Sequence, residues 1–113
     1  MAYEIKGNEA IYTVLLNGQN EVLTFRKLKV REQAYFINEI LETDKSGGFK
    51  PNFGNLILSL PKFYVKEKST IKFESNTEFH ESELFDTATL MDMATAILAL
   101  HGFINPDKKK LDG

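Results

Sequence analysis

Residues 11–26 read Ile-Tyr-Thr-Val-Leu-Leu-Asn-Gly-Gln-Asn-Glu-Val-Leu-Thr-Phe-Arg, and this stretch decides the fold class. Two runs rich in β-branched and apolar residues flank Asn17-Gly18, a pair that tolerates the positive φ angles of a tight hairpin turn. The sequence therefore predicts antiparallel pairing of residues 11–16 with residues 21–26. A turn of two residues and a loop of four residues both place the same side chains on each face of the hairpin. In either case the predicted core face consists of Tyr12, Val14, Leu16, Leu23 and Phe25.

After the hairpin, the spacing of apolar residues changes from that of a strand to that of a helix. Between residues 30 and 41, apolar side chains recur at steps of four, three and four, which is typical of an amphipathic helix of about three turns. We expect this stripe to face the core. Its members are Val30, Ala34, Ile37 and Leu41, with Phe36 and Ile40 widening it.

The middle of the chain predicts a loop followed by short strands. Residues 47–54 contain three glycines and a proline, which favour a loop, with Phe49 and Phe53 as its aromatic anchors. The apolar run that follows, residues 55–60, is compatible with either a helix or a strand. Residues 63–65 and 71–74 alternate in the manner of strands, so two further strands are predicted there.

Residues 84–103 give the longest helical pattern. Apolar side chains nearly surround this helix, so it either lies centrally in the core or contacts another chain. Met91 and Leu98 lie seven residues apart on one face and are the predicted interface residues. Asp92 beside them would set the register of the contact, because an unpaired buried carboxylate is costly.

The element order is strands, helix, loop, strands, helix, which predicts a small α+β domain with two main helices packed on an antiparallel sheet. A chain of 113 residues has the size of one domain. Residues 1–106 are expected to form it, and residues 107–113 are expected to be a flexible charged tail.

The composition excludes several classes of protein. The chain has no cysteine, which removes disulfides, thiolate metal sites and cysteine nucleophiles. The net charge is −2 with 14 basic and 16 acidic residues, which argues against a highly basic nucleic-acid binder. Neither a secretory signal nor an apolar run of about 20 residues is present, so we expect a cytoplasmic protein without membrane contact.

Few residues could carry chemistry. Glu78, His80 and Glu81 have metal-ligand side chains, but their spacing matches no known type of metal site, and a solvated loop explains them. His101 lacks a nucleophile partner. The chain is therefore expected to have no catalytic residue, no metal and no cofactor.

The lysines between residues 62 and 72 alternate with aromatic residues, a pattern found in proteins that bind single-stranded nucleic acid. Glu67 and Glu74 dilute this positive charge. Lysines on an edge strand also prevent aggregation between sheet edges, and this interpretation is preferred. No nucleic-acid partner is expected.

The segment Glu-Val-Leu-Thr-Phe-Arg-Lys-Leu-Lys-Val-Arg-Glu at residues 21–32 combines a strand, the sequence Leu-x-Val-Arg-Glu and the start of a helix. It resembles the opening of small tail-assembly or baseplate-assembly proteins of tailed bacteriophages, over residues 8–42. The resemblance implies a non-enzymatic protein that binds partners and oligomerises during virion assembly. It implies no catalytic residues, and a location in the host cytoplasm or the virion.

Two hypotheses about function follow. The first is a protein-interaction component of phage tail morphogenesis or structure that forms homo-oligomers or binds another assembly component through apolar contacts. The alternative is a small acidic binding or inhibitor protein that docks on a larger host enzyme through residues 78–86. The first should self-associate, whereas the second should remain monomeric. An enzyme is the third possibility and would need a deep pocket with converging polar groups.

Overall fold

A computed structural model describes residues 2–104. Its main sheet has three antiparallel strands in the order β1 (Tyr3–Lys6), β2 (Glu9–Leu16) and β3 (Gln19–Arg26). The predicted hairpin is confirmed, with a two-residue turn in which Asn17 and Gly18 have φ angles of 51° and 79°. The sequence did not predict β1, which joins β2 through a second tight turn.

The core face of the hairpin is also confirmed. Tyr12 pairs with Leu23 across the two strands, and Ala10 pairs with Phe25. All four side chains are buried, and Val14 is half-buried at the turn end of the same face. Because cross-strand partners share one face of a sheet, this parity places the core on one side of the hairpin.

The remaining elements complete a small α+β fold of five α-helices and two sheets within residues 2–104. In chain order they are α1 (Val30–Ile40), β4 (Leu41–Thr43), β5 (Phe49–Pro51), α2 (Phe53–Leu58), α3 (Leu60–Phe63), a 3-10 turn (Lys66–Lys68), α4 (Asn76–His80) and α5 (Thr87–Leu100). Strands β4 and β5 form a separate two-stranded sheet.

The predicted strands at residues 63–65 and 71–74 are wrong. Residues 64–70 run along the outer edge of β3 but form only one bridge with it, between Phe25 and Tyr64. The backbone hydrogen bonds between this segment and β3 are isolated, and side-chain hydroxyls take the place of a continuous hydrogen-bond ladder. For example, the Ser69 Oγ accepts the Thr24 N–H at 2.9 Å. The alternating aromatic residues insert into the core instead of lining a sheet face.

The predicted loop over residues 47–54 contains β5 and the start of α2. Strands β4 and β5 form a second hairpin, and Asp44 closes its tip. The Asp44 Oδ1 accepts hydrogen bonds from the Ser46 and Gly48 N–H groups at 2.9 Å each. Phe49 is 73% exposed and is therefore not the anchor that the sequence predicts, whereas Phe53 is half-buried.

Helix α5 lies at the centre of the molecule, packed on β1, β2 and α2. It is shorter than the predicted span of residues 84–103. Asp86 caps its start by accepting the Thr89 N–H at 2.8 Å, and Gly102 follows its end with a φ angle of 82°. No helix within residues 2–104 has the length and apolarity needed to cross a membrane. The predicted tail, residues 107–113, lies outside the described part of the chain.

Candidate functional site

Helix α1 does not bury the stripe that the sequence predicts. Val30 is 84% exposed, Ile37 is 41% exposed and Ala34 is also exposed, whereas Phe36 and Ile40 are buried. The reason is that the apolar residues span more of the helix than one contact can cover. The exposed stripe of Val30, Ala34, Ile37 and the half-buried Leu41 is called the α1 flank below.

Polar contacts at both ends fix the rotation of α1. Before its first turn, the Leu28 carbonyl accepts a hydrogen bond from the Gln33 side chain at 2.7 Å. Near its end, the Glu39 carbonyl accepts one from the Asn55 side chain at 2.7 Å. In between, Phe36 packs edge-on against Phe63 with a centroid distance of 5.0 Å. These contacts hold the α1 flank toward solvent.

An apolar groove continues the α1 flank. It has a volume of about 330 Å³ and shares Leu41 with the flank. Phe103, which follows α5, is 40% exposed, and Phe49 from β5 is more exposed still. Six residues line this apolar groove, and all are apolar: Leu41, Phe49, Pro51, Leu98, Phe103 and Ile104.

The predicted interface residues on α5 fall in two different places. Met91 is 41% exposed and lines a shallow depression together with Asp92. Leu98 is only 4% exposed and lies at the floor of the apolar groove. Met91 and Leu98 therefore do not share an exposed face, which corrects the sequence prediction. Their spacing along α5 explains this, because the first turns of the helix reach the surface and the later turns are covered.

The depression at Met91 and Asp92 is acidic and is called the acidic depression. Its volume is about 440 Å³, and its lining includes the carboxylates of Asp86 and Asp92 and the rings of Tyr12 and Phe53, but no basic residue. Burial raises the pKa of the Tyr12 hydroxyl, and a hydrogen bond to Asp92 and the charge of Asp92 raise it further. The Tyr12 hydroxyl therefore stays neutral beside this carboxylate.

A second tyrosine lies next to the first. Tyr3 pairs with Tyr12 across β1 and β2, and burial followed by the charge of Asp92 raises its pKa. Within residues 2–104 its buried hydroxyl has no hydrogen-bond partner. No sequence pattern indicates this juxtaposition, because β1 is not among the predicted strands.

Near α4, the side chains of the types that bind metals make local hydrogen bonds and do not converge on one point. His80 Nε2 lies 2.8 Å from the Leu58 carbonyl, and Glu78 accepts the Glu74 N–H at 2.9 Å. In the part of the chain that the structure describes, no three His, Asp or Glu side chains come together as a potential metal site.

The lysines of residues 62–72 are largely paired with acidic residues. Lys66 lies 2.6 Å from Glu74, Lys68 lies 2.7 Å from Glu9, and Lys62 lies 3.8 Å from Glu39. The charges of these three lysines are therefore locally compensated. They do not lie on the edge strand that the sequence predicts, because residues 62–72 form the end of a short helix, a 3-10 turn and irregular backbone.

Comparisons of this chain with protein-family models, curated proteins and solved structures find no match.

Proposed function

We propose that this chain is a non-enzymatic protein-interaction component that acts in assembly. More specifically, it would be a morphogenesis or structural component of a bacteriophage tail, located in the host cytoplasm or the virion. The observation that carries the proposal is the continuous apolar surface formed by the α1 flank and the apolar groove.

This surface has the character of a protein contact. Exposed apolar residues scattered singly are ordinary, but contiguous patches rimmed by polar residues mark interaction sites. Phe49 and Phe103 contribute aromatic rings, which are enriched at the centres of interfaces. Charged residues lie at both ends, among them Lys29 before the stripe and Glu42 after it, and both are exposed. An apolar centre with a charged rim is the usual anatomy of an interface.

The phage assignment is supported by the resemblance over residues 8–42. That span contains β2, β3 and α1, so the α1 flank up to Leu41 belongs to the part of the chain that resembles tail-assembly and baseplate-assembly proteins. The feature proposed to bind partners and the segment that carries the resemblance are therefore the same part of the molecule.

The test co-expresses the tagged chain with the products of the genes adjacent to its own. A variant with Val30→Glu and Ile37→Glu places two charges on the α1 flank, and Tyr35→Glu is the matched control. Tyr35 is 66% exposed on the same helix but lies off the flank. We expect a neighbouring product to co-purify with the unmodified chain and the control but not with the double variant. Retention by the double variant, or no bound product at all, would contradict the proposal.

The acidic depression favours a second candidate function, a small acidic protein that docks on a larger host enzyme. Asp86 and Asp92 line it without a basic residue, and Asp86 is the last residue of the acidic segment at residues 78–86. Binding there would depend on charge and would weaken with added salt. Asp86→Asn with Asp92→Asn should then abolish binding, whereas Val30→Glu with Ile37→Glu should not. The two candidates are therefore separable with the same set of variants.

A further inference from the structure

We infer that a cleft between α1, α2, α3 and α4 binds a small neutral ligand rich in hydroxyl groups, which in chemical class is a saccharide. The cleft has a volume of about 440 Å³, within the usual range of small-molecule sites. Among the described residues it shares no lining side chain with the acidic depression or the apolar groove. We call it the polar cleft. The inference goes beyond the proposed assembly role and does not depend on it.

Three side chains of the polar cleft donate hydrogen bonds to the protein's own backbone. Asn55 Nδ2 donates to the Glu39 carbonyl at 2.7 Å, and Ser59 Oγ donates to the Asn55 carbonyl at 2.9 Å. His80 Nε2 lies 2.8 Å from the Leu58 carbonyl, so this nitrogen carries the proton. Each side chain therefore retains an acceptor, namely Asn55 Oδ1, the lone pairs of Ser59 Oγ and Nδ1 of the neutral His80 ring. The backbone bonds hold these three acceptors in place.

Two further amides line the polar cleft, Asn38 from α1 and Asn76 from α4, and both are exposed. Neither side chain forms a hydrogen bond within residues 2–104. An amide presents an N–H donor and a carbonyl acceptor side by side. Neighbouring hydroxyls of a sugar ring match this pair, because one hydroxyl accepts from the N–H while the next donates to the carbonyl.

The charges of the polar cleft favour a neutral ligand. Among the described lining residues, Glu39 and Lys62 carry the permanent charges, and their side chains lie 3.8 Å apart. A phosphate or carboxylate ligand would compete with Glu39 for Lys62, and a cationic ligand would compete with Lys62 for Glu39. A neutral ligand leaves this ion pair in place. The polar cleft therefore offers hydrogen bonds without a net charge.

The apolar part of the lining distinguishes a sugar from a nucleobase. Bases bind mainly by stacking on aromatic rings, and none of the described lining residues is Phe, Tyr or Trp. Leu58, which is 62% exposed, and Pro61 instead give a small aliphatic area. A sugar ring carries C–H groups between its hydroxyls, and these can contact such an area while the hydroxyls reach the amides. A saccharide is thus the class that fits both parts of the lining.

Amide NMR spectra of the full chain, recorded during titration with glucose, galactose, mannose or N-acetylglucosamine, test the inference. We expect at least one of these sugars to shift the side-chain amide signals of Asn38, Asn55 and Asn76 in a saturable manner. The Kd should lie in the millimolar range, because the ligand is small and the polar cleft is open to water. No saturable shift at these signals with any of the sugars would overturn the inference.

A pair of variants tests the location of the site. Asn38→Ala with Asn76→Ala removes two exposed amides that make no hydrogen bond in the described chain, so the unfolding midpoint in urea should be unchanged. Sugar binding, followed at the Asn55 side chain, should weaken by about tenfold or more. Asn20→Ala is the matched control, because Asn20 is exposed on β3 and does not line the polar cleft. Equal affinities in the double variant and the control would overturn the assignment of the site.

Titrations with sodium phosphate and with arginine hydrochloride test the neutrality of the ligand. We expect neither ion to shift the Asn38, Asn55 and Asn76 side-chain signals in a saturable manner at concentrations where the sugar does. Tighter binding of phosphate or arginine than of any sugar at these signals would overturn the inference that the ligand is neutral.

Discussion

His101 Nε2 accepts the backbone N–H of Leu28 at 3.1 Å, and this contact joins the end of α5 to the residues that lead into α1. The other ring nitrogen, Nδ1, lies 2.8 Å from the Ile97 carbonyl and therefore carries the proton of the neutral ring. The ring also packs against Phe36 and Phe63 at centroid distances of 5.9 and 5.4 Å. His101 thus helps to hold α1 in the orientation that exposes its apolar flank.

This contact makes stability depend on pH. Burial lowers the pKa of His101 below its usual value of 6.5, and the nearby charge of Lys27 lowers it further, against an opposing effect of the Ile97 carbonyl. The unfolded chain therefore binds a proton at a higher pH than the folded chain does. The contribution of His101 is fully present above about pH 6.5 and is lost as the pH falls through the lowered value.

Urea unfolding between about pH 7.5 and pH 5 measures this effect. His101→Asn should flatten the decline in the free energy of unfolding toward low pH, because the titrating ring is gone. His80→Asn is the control, since His80 is exposed on α4, and it should keep the slope of the unmodified chain. Identical slopes for all three proteins would contradict the prediction.

Phe25 tests the core face of the hairpin. Its side chain is fully buried on β3, so Phe25→Ala should lower the free energy of unfolding by about 3–5 kcal/mol. Leu15→Ala is the control, because Leu15 lies on the opposite face of the neighbouring strand and is 66% exposed. Its loss should stay within about 0.5 kcal/mol. Equal losses in chemical denaturation would mean that the core face is wrongly assigned.

The hairpin could be predicted because both of its determinants are local. The turn chemistry of Asn17-Gly18 and the period of two along each strand are present in the sequence itself. Strand β1 could not be predicted, because the turn at Gly7-Asn8 lacks as clear a signal. The strand pattern at residues 63–65 and 71–74 is misleading because its alternation comes from apolar side chains that enter the core from the end of a short helix and from irregular backbone.

The orientation of the helices could not be predicted from periodicity. Apolar residues cover a wide arc of α1, and only tertiary contacts decide that Phe36 and Ile40 are buried while Val30 and Ile37 are exposed. Side-chain size was the available signal, since the ring of Phe36 has more area to bury than Val30 or Ala34. On α5, the same ambiguity explains why the interface predicted from the sequence includes Leu98, which is buried.

Leu98 and Met91 should now behave differently when they are truncated. Leu98 is buried at the floor of the apolar groove, so Leu98→Ala should lower the free energy of unfolding by about 2–5 kcal/mol. Met91→Ala removes a more exposed side chain and should cost less than about 1 kcal/mol. Thermal and urea unfolding measure both variants. A loss for Leu98→Ala as small as the loss for Met91→Ala would contradict the central position of α5.

The outer edge of β3 gives the last prediction. Ser69 is buried, and its Oγ accepts the Thr24 N–H at 2.9 Å and donates to the Val65 carbonyl at 2.7 Å. Ser69→Ala should cost about 1–3 kcal/mol, because it leaves a buried N–H without a partner. Thr70→Val is the matched control, since Thr70 Oγ1 accepts the Val22 N–H at 2.6 Å but is exposed, so water can replace it.

Urea unfolding and amide hydrogen exchange distinguish the two variants. We expect Ser69→Ala to lose more stability than Thr70→Val and to speed the exchange of the Thr24 amide beyond the global change. Because residues 64–70 occupy the edge of β3, their release would also expose unpaired backbone groups to other chains. Ser69→Ala should therefore aggregate earlier on heating than Thr70→Val. Equal stability losses in the two variants would show that burial of the hydroxyl does not decide the strength of this contact.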